Sequence, residues 1–211
     1  HRFPFLTALL AVLGCWCPGR AAEMVSLDTT WRFQNGLSEA SSPDTTAWRA
    51  LGFDDSSWAE LPAPFWYGDL QPAPGTDLTD KRYNYRCVFL RKTFAVANPG
   101  DIASLTLGAQ SDDGFIAWIN GHEVGRFNMP GGEPTIGTDS LPALPEPIAF
   151  QSIPIDNPRD FLVTGTNVLT VQGFNSSLGS SSDFVLNLSL AATLDTEPPR
   201  VERLLPSAGA E

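Results

Sequence analysis

The run Ser111-Asp112-Asp113-Gly114-Phe115-Ile116-Ala117-Trp118-Ile119-Asn120-Gly121-His122-Glu123-Val124-Gly125-Arg126 constrains the fold more than any other part of the sequence. Five consecutive apolar residues lead into Asn-Gly, and an alternating segment follows. Asn-Gly between two strand-like runs is a strong hairpin signal, because a type I′ turn demands positive φ at both central positions. The segment predicts a buried strand, a two-residue turn and a second strand, with paired carboxylates at the entrance.

Similar strand signals recur over residues 86–96, 102–107, 115–119, 123–127, 148–155, 167–174 and 184–190. In the last, Phe184, Leu186, Leu188 and Leu190 fall on one face and Asn187 and Ser189 on the other, the period of a half-buried strand. No stretch sustains helical periodicity over three turns; residues 46–58 have room for one short helical turn. Many short strands joined by long loops predict an all-β fold, an antiparallel two-sheet jelly-roll sandwich. The loop over residues 62–82 carries Phe65, Trp66, Tyr67, Asp69 and Asp77, and the loop over 129–147 is rich in glycine and proline. Loops of this length are functional or disordered. Residues 176–182, rich in Gly and Ser, read as a mobile tip.

Acidic residues outnumber basic ones by 24 to 13, for a formal charge of −11. Phosphate binding needs a basic face, so nucleic acid is excluded as a partner. The acidic balance suits a soluble secreted protein and is compatible with cation binding. Residues 1–22 read as a signal peptide: His1-Arg2 supplies charge, residues 3–16 are largely apolar, and Gly19, Ala21 and Ala22 offer cleavage after Ala21 or Ala22. The apolar core is too short for a permanent membrane span. Val12-Leu13-Gly14-Cys15 is an imperfect lipoprotein-type box, the alternative route to a cell-surface location. Beginning at His rather than Met, the chain reads as part of a longer frame. Loss of the leader removes Cys15 and Cys17, leaving Cys87 without a disulfide partner in an apolar strand, where it acts as a small hydrophobe. Residues 195–211 begin as a Pro-rich linker, Asp195-Thr196-Glu197-Pro198-Pro199-Arg200-Val201, similar to the entry of an immunoglobulin-like module. The sandwich is thus expected over residues 23–194.

Several segments in order resemble a known family. Trp31-Arg32-Phe33, Trp48, Gly52-Phe53-Asp54-Asp55-Ser56-Ser57-Trp58 and Pro62-Ala63-Pro64 resemble the opening of the sugar-binding domain of glycoside hydrolase family 2 enzymes. Tyr85-Arg86 with Leu90-Arg91-Lys92-Thr93-Phe94, then the hairpin Trp118–Gly125, then Gly165-Thr166-Asn167-Val168-Leu169, continue the series. The resemblance implies a galactose-binding-like β-sandwich. It also implies an accessory module, not itself catalytic, that binds glycan or supports neighbouring domains of the same parent chain.

Two sets of residues are candidates for a site. Asp112 and Asp113, with Asn128 as a further oxygen donor, offer the hard ligands that calcium takes; they are also similar to the calcium loop of protective-antigen-like adhesin domains. The other reading is that the aspartates cap a tight turn, with Gly114 at positive φ. Trp66 and Tyr67 offer aromatic faces for a pyranose ring, with Asp69, Arg82 and Asn84 for its hydroxyls; in the alternative Phe65-Trp66 plugs one end of the sandwich. Asp54-Asp55 reads as a turn or cap. His122, the one histidine left in the mature chain, reads as exposed, and no nucleophilic triad is arguable from it.

Overall fold

A computed structural model describes residues 20–68, 74–143 and 148–195 of the chain. Its first six strands are β1 (Arg20–Val25), β2 (Thr30–Asn35), β3 (Ala59–Pro62), β4 (Phe65–Tyr67), β5 (Thr76–Asp77) and β6 (Cys87–Val96). The remainder are β7 (Ile102–Asp112), β8 (Gly114–Ile119), β9 (His122–Phe127), β10 (Gln151–Ile155), β11 (Gly165–Phe174) and β12 (Phe184–Leu194). One sheet runs β10-β7-β12-β4-β5, with β1 also paired to β12; the other runs β3-β2-β6-β11-β8-β9. Every pairing is antiparallel except the short parallel contact of β4 with β5. The chain is therefore the antiparallel two-sheet sandwich its patterning predicts. Among the described residues no helix is long and apolar enough to cross a membrane.

The hairpin forms as expected. Ile119 pairs with His122, and between them Asn120 and Gly121 take φ of 51° and 86°. All six residues of β8 are buried. Other strands depart from their patterns. β7 runs on to Asp112 because β12 on one side and β10 on the other supply partners for Gly108 and Ala109, which have little apolar signal of their own. The supposed loop over 62–82 contains β4 and β5, held as strands by pairing with β12 and with each other. β1 begins at Arg20, so the expected cleavage point falls within it. Residues 1–19 and 196–211, which carry most of the predicted leader and linker, lie outside the described residues.

Two apolar clusters follow from strand alternation. Between the sheets, Trp31, Phe65, Tyr67, Leu90, Leu107, Phe115, Val171, Phe184 and Leu188 belong to the main core. The opposite side of the second sheet carries Cys87, Phe89, Ile116, Trp118 and Phe174, under a cover that includes Trp48, Trp58 and Met129. Trp48, fully buried at the centre of the 3₁₀ turn Ala47–Arg49, stands edge-on to Phe89 at 5.1 Å and to Trp118 at 5.7 Å between ring centroids. Arg91, on the same face of β6, donates to the carbonyls of Trp48, Ala50 (3.1 Å) and Phe53 (3.4 Å) and to Asp55 Oδ2 (2.7 Å). Arg49 lays its guanidinium 3.8 Å from the Trp118 ring centroid and pairs with Glu133.

This covered face makes the outer tryptophan a test of the fold. Trp48→Ala is expected to lower unfolding free energy by about 3–5 kcal/mol, the range for truncating a buried aromatic. Denaturant titration measures it; a loss under about 1 kcal/mol would show that the cover contributes little.

Candidate functional site

At the entrance to the hairpin, β7 hands over to β8 through Asp112, Asp113 and Gly114. Both aspartates are buried, at 3% and 2% exposure. A buried carboxylate needs hydrogen-bond partners, and Asp113 finds them in residues distant along the chain. Its Oδ2 accepts from the Ser176 amide and from Ser181 Oγ at 3.4 Å, while its own amide donates to Phe174 O at 3.2 Å. The segment expected to be a mobile tip is thus tied to the aspartate, and Ser181 is itself buried. Asp112, Asp113 and Asp183 with Ser176, Ser180, Ser181 and Ser182 line a cleft of about 230 Å³. Gly114 does not take positive φ. It is required by close approach: an added Cβ there would sit 2.9 Å from Phe127 O, Asn128 O and Met129 Sδ.

The predicted site residues separate. Tyr67 is corrected from platform to core: alternation on β4 turns it inward with Phe65, leaving it 1% exposed and stacked on Phe184. Its hydroxyl accepts from Asn175 Nδ2 at 2.7 Å and donates to Ser181 O at 3.4 Å. Trp66 faces the other way, half-buried, its indole Nε1 shielded and without a hydrogen-bond partner among the described residues. Arg82 and Asn84 are exposed but do not line the cleft; the Arg82 guanidinium lies 5.0 Å from the Tyr83 ring centroid. Asp69 lies outside the described residues.

Asn128 clamps the neighbouring loop through its amide nitrogen. Its Nδ2 donates to the carbonyls of Asp113 (3.0 Å), Leu141 (3.4 Å) and Pro142 (3.3 Å), and it does not line the cleft. Among the described residues, no three His, Cys, Asp or Glu side chains converge as a metal-binding group. A cation at Asp112 and Asp113 would therefore draw its remaining oxygens from hydroxyls, carbonyls and water.

Lys81 was not singled out by its sequence, because Thr79-Asp80-Lys81-Arg82 reads as a polar surface run. It is fully buried, with Nζ donating to Arg86 O at 2.8 Å and Tyr85 O at 3.4 Å. The ammonium also stands 4.5 Å from the Phe184 ring centroid and 5.9 Å from that of Tyr67. Burial pulls its pKa down from 10.5 to about 7, against the opposing pull of Cys87, Asp113 and Asp80. Burial raises the Cys87 thiol to about 11 and also raises Tyr85.

No protein-family model matches the chain, and no curated protein does. Solved structures do. A Bacteroides uniformis β-glucuronidase 2, covalently bound to cyclophellitol-6-carboxylate aziridine, aligns with a TM-score of 0.51 and 16% identity over 82% of this chain. A β-glucuronidase from an uncultured Clostridium species aligns over 90% of this chain and 31% of its own, with 16% identity and a TM-score of 0.48. The chain spans 18% of the length of the Bacteroides enzyme. At such identity the likeness is one of fold: the sandwich shares its architecture with part of that enzyme, in line with the sequence resemblance.

Lys81 gives the region around the cleft a pH signature. Between about pH 7 and 10.5 the unfolded chain holds a proton that the folded chain lacks, so stability rises with pH across that window and falls as pH drops toward 7. Cys87 and Tyr85 act in the opposite sense above about pH 9, which leaves pH 7 to 9 as the clean interval. The thermal midpoint is expected to climb over that interval in the wild type, with a slope of at most about 1.4 kcal/mol per pH unit, and to lie flatter in Lys81→Met. Parallel pH profiles for the two proteins would remove Lys81 as the cause.

Proposed function

We propose that this chain is a non-catalytic accessory module of a longer bacterial protein, secreted or held at the cell surface, and that it binds glycan. One observation carries the reading. Val185 on β12 is paired with Asp112 on one side and with Trp66 on the other, so a half-buried indole and a carboxylate flank one strand beside the serine-lined cleft. Two strand spacings separate them, roughly 10 Å. Sugars present apolar ring faces to aromatics and hydroxyls to carboxylates and Ser hydroxyls. The length relation supports a module rather than a whole enzyme, since the chain corresponds to 18% of the Bacteroides β-glucuronidase. Calcium at Asp112 and Asp113 is the finer part of the proposal, supported by two adjacent carboxylates on the same cleft.

A second reading is a spacer or protein-interaction domain without a small ligand. It is favoured by burial of Trp31, Trp48, Trp58 and Trp118, which leaves Trp66 as the tryptophan not buried among the described residues. A glycan array separates the two: the wild type is expected to bind a defined glycan class and Trp66→Ala to lose most of that signal. Absence of binding at high surface density would favour the spacer. Calcium is tested apart from sugar. Millimolar Ca²⁺ is expected to raise the melting temperature of the wild type but not of Asp113→Asn, and equal melting curves with and without the ion would remove it from the proposal.

A further inference from the structure

Lys81 and Asn175 share an acceptor. Lys81 Nζ donates to Arg86 O at 2.8 Å, and the Asn175 backbone amide donates to the same oxygen at 2.9 Å. The other carbonyl that Nζ reaches is Tyr85 O, at 3.4 Å. A neutral amine has two N–H groups, and these two carbonyls match them. An ammonium has three, and among the described residues no third acceptor bonds Nζ. Asn175 carries the complementary surplus. It is 2% exposed, its Nδ2 donates to the Tyr67 hydroxyl at 2.7 Å, and its Oδ1 is buried without a hydrogen-bond partner among the described residues. One buried acceptor is thus left over beside an amine that gains one donor on protonation.

From Asn175 the contacts run on to the aspartate cleft. The Tyr67 hydroxyl donates to Ser181 O at 3.4 Å, and Ser181 Oγ donates to Asp113 Oδ2 at 3.4 Å. The same carboxylate oxygen accepts from the Ser176 amide. Tyr67, Asn175, Ser181 and Asp113 are all buried. The two bonds of 3.4 Å are long for O–H···O, so they are the links that give first. The titratable groups facing Lys81 are Asp80 and Tyr85 on its own loop, Cys87 on β6, Tyr67 on β4 and Asp113 at the hairpin entrance; β12 contributes the apolar ring of Phe184. Burial raises Tyr67, Tyr85 and Cys87 above their ordinary values, away from neutral pH, and lowers Lys81 toward it. The Arg86 guanidinium is turned to Asp139 at 2.7 Å.

We propose that Asn175 is a proton-operated latch on the wall of the aspartate cleft, holding the Tyr67 hydroxyl when Lys81 is neutral and turning its Oδ1 to the Lys81 ammonium when Lys81 is charged. A buried donor without an acceptor is costly, and the orphaned Oδ1 is the acceptor that removes the cost. Oδ1 and Nδ2 belong to one planar amide, so a turn that brings Oδ1 to Nζ carries Nδ2 away from Tyr67. The hydroxyl then loses its fixed orientation, the two long bonds through Ser181 loosen, and the serine-lined wall between β11 and β12 opens. The cleft is closed above neutral pH and open below it, a local charge event read out by a two-state element. The latch acts on the cleft of the proposed function, but neither sugar nor ion takes part, so it stands or falls apart from that reading.

The test is an NMR pH titration of the full chain without ligand. The Asn175 side-chain amide and the Ser181 backbone amide are expected to shift together along one curve with its midpoint near pH 7. Protection of the Ser176 amide against hydrogen exchange, corrected for the intrinsic rate, is expected to fall several-fold from the alkaline to the acid side of that midpoint. In Lys81→Met both resonances are expected to stay flat. In Tyr67→Phe, which keeps Lys81 but cuts the path beyond Asn175, the Ser181 curve is expected to vanish; this arm decides the matter should Lys81→Met fold poorly. His122→Gln removes the exposed histidine at the hairpin turn and is expected to leave both curves in place. No curve near pH 7 at Asn175 in the wild type, a curve that survives in folded Lys81→Met, its loss in His122→Gln, or an unchanged Ser181 curve in Tyr67→Phe would each overturn the proposal.

Discussion

The guanidinium of Arg91 is the fixed point of the second sheet. A charge buried beneath aromatic rings is tolerated only when its donors are matched. Here the match comes from one carboxylate and three backbone carbonyls, all from residues 48–55. Those residues have little regular structure beyond the turn Ala47–Arg49, so the side chain of a neighbouring strand determines where they lie. Once they lie there, Trp48 meets Phe89 and Trp118, and the outer face of the sheet acquires an apolar layer of its own. The same commitment holds Asp55 Oδ2 2.7 Å from Arg91 and leaves its Oδ1 at 3.7 Å from Arg32.

The first sheet depends on an analogous matching of buried polar groups at one end. The carboxylate of Asp113 organises Ser176 and Ser181, and Ser181 in turn meets the Tyr67 hydroxyl and the Asp183 carbonyl. The residues between β11 and β12 are thereby folded against the hairpin entrance. The Lys81 amine lies 5.9 Å from the Tyr67 ring centroid and 4.5 Å from that of Phe184, so one end of the sandwich buries both an amine and a carboxyl group. Their charges act on each other through a medium that screens poorly.

Strand alternation was legible wherever burial is one-sided. Leu186 and Leu188 against Asn187 announced β12, and Asn120-Gly121 announced the turn between β8 and β9. Legibility failed where a strand is imposed by its partners: Gly108 and Ala109 on β7 carry little pattern, and β4 is three residues long. Period two, once the strand is known, decides that Trp66 and Tyr67 face opposite ways; reading them as loop residues concealed it. The candidate cleft was half visible. Asp112 and Asp113 drew notice as a pair, but the partners of Asp113 lie 63 and 68 residues away, a distance at which local pattern carries no information. Asp55 looked like half of an Asx-type turn, and Asp54 does serve that role with the Ser56 amide. The ion pairs of Asp55 with Arg91 and Arg32 come from the sheet and have no local signature.

The pairing of β1 with β12 has a mechanical consequence. Arg20 stands opposite Leu194, so the chain enters and leaves the sandwich at adjacent points. The aspartate cleft sits by the first residues of β12, a strand of eleven residues spanning roughly 35 Å. A pull on the two ends does not shear this sheet along its length. It meets the Arg20–Leu194 rung first, then Ala21–Thr193, then Ala22–Ala192, in the order of a zipper. Tension is thus spent at one pole on the rungs of a peripheral strand, while the hairpin entrance at the other pole remains outside the path of force.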